Sequence, residues 1–272
     1  MLDSDALRRA VAIACGESPH WRRFDAVRVV ECIDSTNSAL MALAVSPSRP
    51  PRVFLGALTQ TAGRGRLGRH WLDSAGASLT ASLGLELPIS PAELAGFTLA
   101  CGLAVRAAIA TAGVDVALKW PNDVVAPASG AKLGGLLVEA QPVALGTWVV
   151  VGIGLNLQPS DASARFDATD LASLGGGYVD PNALAARVIA EIERTTDRFI
   201  REGFRPFRAA FDAAHLYHGR DVELRQDGQC VASGRFEGVG PGGEVLLREA
   251  GGARRTHVVG DLSLRAITER NT

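Results

Sequence analysis

Between Thr59 and Trp71 the chain reads Thr-Gln-Thr-Ala-Gly-Arg-Gly-Arg-Leu-Gly-Arg-His-Trp. Gly63, Gly65 and Gly68 alternate there with Arg64, Arg66 and Arg69. Glycine lets the backbone enter positive φ and come close to a ligand. Arginine supplies a planar fork of donors that matches carboxylate and phosphate oxygens. The stretch reads as a binding loop, mobile when empty and closed over an anion when occupied, and therefore as a catalytic lid.

The same glycines spell G-x-G-x-x-G, but the dinucleotide fingerprint needs a strand before it and a helix directly after it. Here Val53–Leu58 reads as a strand, the residues after Arg69 start no helix, and Ala77–Leu85 alternates like another strand. The context is strand, loop, strand, which excludes the dinucleotide reading. No Gly-Lys-Ser/Thr follows, so a P-loop is excluded too, and no His-Arg-Asp or Asp-Phe-Gly supports a kinase.

The 272 residues, 47% hydrophobic, suffice for one large domain or for one with a small companion. With mean hydropathy +0.14 the chain is globular rather than disordered. A net charge of -1 gives no global attraction to nucleic acid or acidic membranes, so the basic charge of the loop is local. Cys15, Cys32, Cys101 and Cys230 lack paired spacing, and the N-terminus lacks the regions of a signal peptide; free thiols in a cytoplasmic protein are expected. Only two of the 28 basic residues are lysines, Lys119 and Lys132. A compact ammonium is not replaceable by a guanidinium fork, so both, Lys132 above all, are candidates for chemistry.

In chain order, a helix is expected over Ser4–Cys15, a strand over Ala26–Ile33 and a helix over Ser38–Val45. Asp34, Ser35, Thr36 and Asn37 at that junction are favoured capping types. Four in a row exceed what one cap requires and could hydrogen-bond a small polar ligand. The apolar run Leu94–Ala112 has helical spacing and holds Arg106, so a packed helix is expected rather than a membrane span. Val114–Trp120 reads as a strand ending in the turn Pro121-Asn122-Asp123, where an amide and a carboxylate could hold magnesium or a nucleotide hydroxyl. Lys132, Gly134 and Gly135 open a buried strand over Leu136–Val138, where Lys132 could also be a gatekeeper. Thr147–Leu157 is a further strand in which Gly152 and Gly154 mark either a bulge or room for a ligand.

Five segments together, Asp34-Ser-Thr-Asn37, Gly63 to Trp71, Lys119-Trp-Pro-Asn-Asp123, Lys132 to Glu139 and Gly152-Ile-Gly-Leu-Asn156, resemble biotin protein ligases in the family's order. The resemblance implies an α+β fold. A mixed β-sheet catalytic domain packed with helices, like class II synthetases and biotin ligases, would span residues 1–218. A small C-terminal SH3-like β-barrel would span residues 219–272. Asp180-Pro181 opens a helix to about Gly203, a second helix runs to about His218, and five short strands follow, which fits. Some members carry an N-terminal winged helix–turn–helix; about 30 residues precede Asp34, too few for one, so the enzyme-only form and no DNA binding are expected.

The implied chemistry joins the biotin carboxylate to the α-phosphate of ATP, releases pyrophosphate, and passes biotin to a lysine of a biotin carboxyl carrier domain. By resemblance, Ser35, Thr36, Asn37 and Gln60 would hydrogen-bond biotin. Gly63, Arg64, Gly65 and Arg66 would close over it, with Gly135 and Gly152 beside it. Lys132, Arg64 and Arg66 would offset the charge of two meeting anions. Arg69, Trp71, Asn122, Asp123 and Asn156 would serve the nucleotide, with Asp123 on Mg2+. The expected protein is a monomer or homodimer without a membrane partner. A lipoate–protein ligase and a non-catalytic biotin or adenylate sensor are the alternatives.

Overall fold

The computed structural model describes residues 1–15, 24–45, 51–72, 74–160, 167–258 and 262–267. Its larger sheet begins with β1 (Ala26–Ile33) and β2 (Val53–Gln60), which pair in parallel, with α2 (Thr36–Met41) in the connection. The remaining strands are antiparallel: β3 (Ser78–Leu87), β4 (Ala117–Lys119), β5 (Asp123–Val125), β6 (Lys132–Val143) and β7 (Gly146–Asn156). Their order is β1-β2-β3-β7-β6-β5-β4.

Strand β7 is buried from Thr147 to Leu155 because both faces of the sheet are covered. On one face lie α1 (Ser4–Cys15), α3 (Phe97–Ala110) and α4 (Pro181–Glu202), with α4 packed against the other two. Helix α4 starts where Asp180 accepts from Asn182 N–H and Pro181 occupies the first turn, and it ends at Gly203. It buries Leu184, Val188, Ile192 and Phe199 at helical spacing, and the Phe199 ring meets Phe97 edge-on at 4.9 Å. Removing a ring so placed costs about 3–5 kcal/mol. On the other face, α2 seats Leu40 against Trp148, whose indole N–H donates to Leu40 O at 3.0 Å.

Three expected boundaries shift for local reasons. Helix α2 begins at Thr36 rather than Ser38, because Ser35 caps it by accepting from Ser38 N–H. Helix α3 begins only at Phe97, since a 3₁₀ turn over Pro91–Leu94 and Gly96 at φ +82 precede it. The expected strand over 114–120 pairs only through Ala117–Lys119. No helix among the described residues is long and apolar enough to cross a membrane.

After α5 (Arg208–Ala214) come β8 (Asp221–Gln226), β9 (Gln229–Val239), β10 (Val245–Arg248), β11 (Arg254–His257) and β12 (Leu262–Ala266). They form an antiparallel sheet in the order β11-β10-β9-β8-β12, and among the described residues its two edges do not pair, so it is open. Trp120 locks it to the larger sheet: its indole N–H donates to Gly243 O at 2.9 Å and its backbone N–H to His215 Nε2 at 3.0 Å. Burial pushes the His215 pKa down to about 3.

Candidate active site

Sheet register, rather than sequence proximity, assembles the site. Thr80 on β3 pairs with Gly154 on β7, Gly154 with Gly135 on β6, Gly135 with Asp123 on β5, and Asp123 with Lys119 on β4. A second row runs from Ser82 to Gly152 to Leu137. Register through Gly152 and Gly154 is unbroken, so these glycines form no bulge, and the room they leave lies under the Asn37 and Trp71 side chains. A methyl at Gly152 would meet Asn37 Oδ1 at 2.2 Å, and one at Gly154 would meet the Trp71 indole at 2.6 Å.

Above this floor the start of α2 supplies buried polar groups. Ser35 does the expected capping, while Thr36 and Asn37 face a hydrogen-bonded chain. Thr36 N–H donates to Gln60 Oε1 at 2.8 Å, and the Thr36 hydroxyl lies 2.7 Å from Ser82 Oγ. Ser82 donates to Asn37 Oδ1 at 2.6 Å, and Asn37 Nδ2 donates to Leu137 O at 3.2 Å and to Glu139 Oε2 at 2.9 Å. Both Asn37 amide protons are thus committed, and its oxygen retains a lone pair for a ligand N–H.

The arginine–glycine loop folds into a small hairpin. Trp71 N–H donates to Gly63 O at 2.9 Å and Gly65 N–H to Arg69 O at 2.7 Å. At the tip, Leu67 adopts left-handed backbone at φ +58, which costs a side-chain-bearing residue about 1–2 kcal/mol. Arg64 reaches down to Glu139 Oε1 at 2.6 Å and to Ser38 at 3.1 Å. Arg66 lies 3.5 Å from Asn122 Oδ1, and Trp71 Nε1 lies 3.4 Å from Thr80 Oγ1. Asn122 donates to Leu136 O at 2.8 Å, fixing the turn that carries Asp123.

Lys132 Nζ pairs with Asp123 Oδ1 at 2.5 Å, both partly exposed to the cavity. Lys119 is half-buried nearby, and burial lowers its pKa while Asp123 opposes the shift. These groups line one cavity of about 160 Å³ with Ser35, Thr36, Asn37, Gln60 and the hairpin. Arg69 lines it as well. Asn156 does not: its amide donates to Thr169 O at 3.0 Å and ties down the segment after β7. Gly63 sits behind the wall, where a methyl would meet Trp71 O at 2.5 Å.

Four contributors escape sequence reading: Thr80, Ser82, Glu139 and Arg265, the last brought to the cavity by β12. For Thr80 and Ser82 the signal was available, since polar residues at alternate positions of an otherwise apolar strand share one face. One end of the cavity therefore offers uncharged donors and acceptors with the Arg64–Glu139 pair beside them, and the other offers the cations Lys132 and Arg66.

Residues 29–156 match the model of the biotin/lipoate A/B protein ligase family. Over 198 residues, 71% of this chain and 70% of the relative, the sequence is 40% identical to the biotin–[acetyl-CoA-carboxylase] ligase of Mycobacterium tuberculosis. The chain belongs to the biotin protein ligase family. A second biotin–[acetyl-CoA-carboxylase] ligase, from Paracoccus denitrificans, is 32% identical over 80% of this chain and 92% of its own. The biotin protein ligase of Aquifex aeolicus, solved in complex with biotin and ATP, shares the α+β fold. It matches with a TM-score of 0.74 and 29% identity, covering 90% of this chain and all of that one.

Proposed function

We propose that this biotin protein ligase activates biotin with ATP and transfers it to a lysine on the biotin carboxyl carrier domain of a carboxylase. The observation that carries the reading is the two-ended cavity: Thr36, Asn37 and Ser82, all buried, with Gln60 and Arg64 at one end, and the cations Lys132 and Arg66 at the other. A ureido ring needs both acceptors and donors, and the polar end has them. A carboxylate approaching a phosphate needs cations at the other end.

In the first step a biotin carboxylate oxygen attacks the α-phosphorus, the bond to the bridging oxygen of the β-phosphate breaks, and pyrophosphate leaves. In the second, the acceptor amine attacks the acyl carbon, an amide forms, AMP leaves, and the amine proton is lost. Lys132, oriented by Asp123, would offset the charge where the carboxylate and α-phosphate meet. Arg64 and Arg66 come down with the hairpin, which shields the mixed anhydride from water. Ser35, Gly65, Gly135 and Gly152, which line the same cavity, would complete the biotin site, and Arg69, Trp71 and Asn122 would serve the nucleotide. Asn156 would act on the nucleotide through the segment it holds.

Asp123 is one carboxylate already shared with Lys132, and no group of three or more His, Cys, Asp or Glu able to hold a metal occurs among the described residues. Such a site fits Mg2+ that arrives on the ATP phosphates and offsets their charge, rather than a protein cage. The C-terminal sheet completes the same reading as a small SH3-like barrel over 219–272 beside a catalytic unit over 1–218.

The test is incubation with biotin, ATP, Mg2+ and a purified carrier domain, following pyrophosphate release and the mass of the acceptor. Biotin-dependent pyrophosphate release and a single biotinyl addition are expected. Binding without pyrophosphate release would reveal a sensor, and lipoyl addition when lipoate replaces biotin would reveal a lipoate ligase.

A further inference from the structure

Glu139 closes the motif that Lys132 opens, and its carboxylate does two separate things. From Gly135 onward the odd-numbered residues of β6 face the site, so Glu139 stands beyond Gly135 and Leu137 on the same face. Its Oε1 accepts from Arg64 Nη2 at 2.6 Å, and its Oε2 accepts from Asn37 Nδ2 at 2.9 Å. The first oxygen holds the hairpin and the second holds the floor. We infer that Glu139 is a positioning residue that fixes the Asn37 amide for the ligand and couples that amide to closure of the hairpin through Arg64. The inference rests on the activity proposed above.

The chemistry of the two donors makes the carboxylate hard to replace. A carboxylate is acceptor-only, so it serves an amide N–H and a guanidinium at once. Glutamine has one oxygen and one NH2 group, so either Asn37 or Arg64 would face a donor instead of an acceptor. If Asn37 loses this partner, only Ser82 and Leu137 O still hold its amide, and the flip that offers NH2 where the ligand needs an oxygen becomes easier. If Arg64 loses its partner, the hairpin loses its anchor on the sheet. A rim ion pair alone contributes little to stability, so a purely structural role predicts little change anywhere.

The experiment compares wild type, Glu139→Gln and Glu139→Asp in three measurements. These are pyrophosphate release against biotin concentration, free biotinyl-adenylate in solution without acceptor, and the melting temperature. For Glu139→Gln the KM for biotin should rise about tenfold, the effect of one mispaired hydrogen bond, with kcat changed much less. Free adenylate should accumulate, and the melting temperature should stay within a few degrees of wild type. Glu139→Asp keeps both acceptors on a shorter arm and should recover part of the KM. A biotin KM and adenylate release within twofold of wild type in Glu139→Gln would overturn the inference. So would activity losses that simply follow a loss of melting temperature in both variants. Absence of pyrophosphate release by wild type would instead refute the proposed activity, whatever the variants do.

Discussion

Gly152→Ala is the sharpest test of how the cavity is built. The new methyl would lie 2.2 Å from Asn37 Oδ1, 2.9 Å from Asn37 Cγ and 3.2 Å from Leu137 O. The backbone oxygen belongs to a paired strand, so Asn37 is the group that moves. That side chain is 4% exposed and holds bonds to Ser82, Leu137 and Glu139. Neutral bonds contribute about 0.5–1.5 kcal/mol each and a bond to a charged partner about 1.5–3. Allowing for partial re-formation, the variant should lose about 2–4 kcal/mol. At about 2–4 °C per kcal/mol for a domain of this size, its melting temperature should fall by roughly 5–15 °C. Thermal melts with and without biotin read both effects, since the stabilisation by biotin should also vanish. Gly102→Ala is the control: in α3 its methyl meets nothing nearer than Leu118 at 3.6 Å, and it should be neutral or stabilising by up to about 1 kcal/mol. A Gly152→Ala protein that melts within a degree of wild type and still responds to biotin would refute the reasoning.

Lys132→Ala keeps the backbone bonds of Lys132 to Asp167 and Thr169 and loses a half-exposed ion pair, so its melting temperature should barely change. Its biotin-dependent pyrophosphate release should fall by roughly two to three orders of magnitude, and a wild-type rate would reduce Lys132 to a gatekeeper. Arg66→Ala should still form adenylate but release it, detectable as biotin on bystander proteins; strictly acceptor-bound biotin would count against the lid. Trypsin should cut wild type after Arg64, Arg66 or Arg69 faster without ligand than with biotin and ATP, and equal rates would mean that the hairpin is no lid. His215 is held neutral by burial, with its pKa lowered from 6.5 to about 3. The unfolded chain therefore binds the extra proton first, so this stabilisation is full above pH 6.5 and is lost as pH falls toward 3. The loss is at most about 1.4 kcal/mol per pH unit. Chemical denaturation across that range should show His215→Asn with a shallower acid slope than wild type, and identical slopes would exclude His215 as the source.

Strand alternation and the Asp180-Pro181 cap made most elements legible, because each is a local signal. The site was legible where function concentrates residues in one short stretch, as at Ser35–Asn37 and Gly63–Trp71. What stayed hidden was the pairing. Nothing local says that Thr80, Gly154, Gly135, Asp123 and Lys119 form one row, since register is fixed by partners up to 74 residues away along the chain, as for Thr80 and Gly154. Glu139 carried no role as the last residue of its motif, because its partners, Asn37 and Arg64, lie far upstream. Arg265 required knowing that β12 turns back onto the cavity. Asn156 went the other way, a motif residue whose amide is turned to Thr169.

The floor at Gly135, Gly152 and Gly154 is made of peptide planes rather than side chains. Peptide planes in a paired sheet have no rotamers, so the floor loses no side-chain entropy when a ligand lies on it and has no alternative shape to offer another one. Adapting the enzyme to a bulkier or differently functionalised carboxylic acid therefore has to proceed through Gln60 and Trp71 at the walls. Substitutions in the floor can only subtract room. Variant libraries confined to the wall positions should yield new acids, whereas libraries at the three glycines should return only inactive or wild-type sequences.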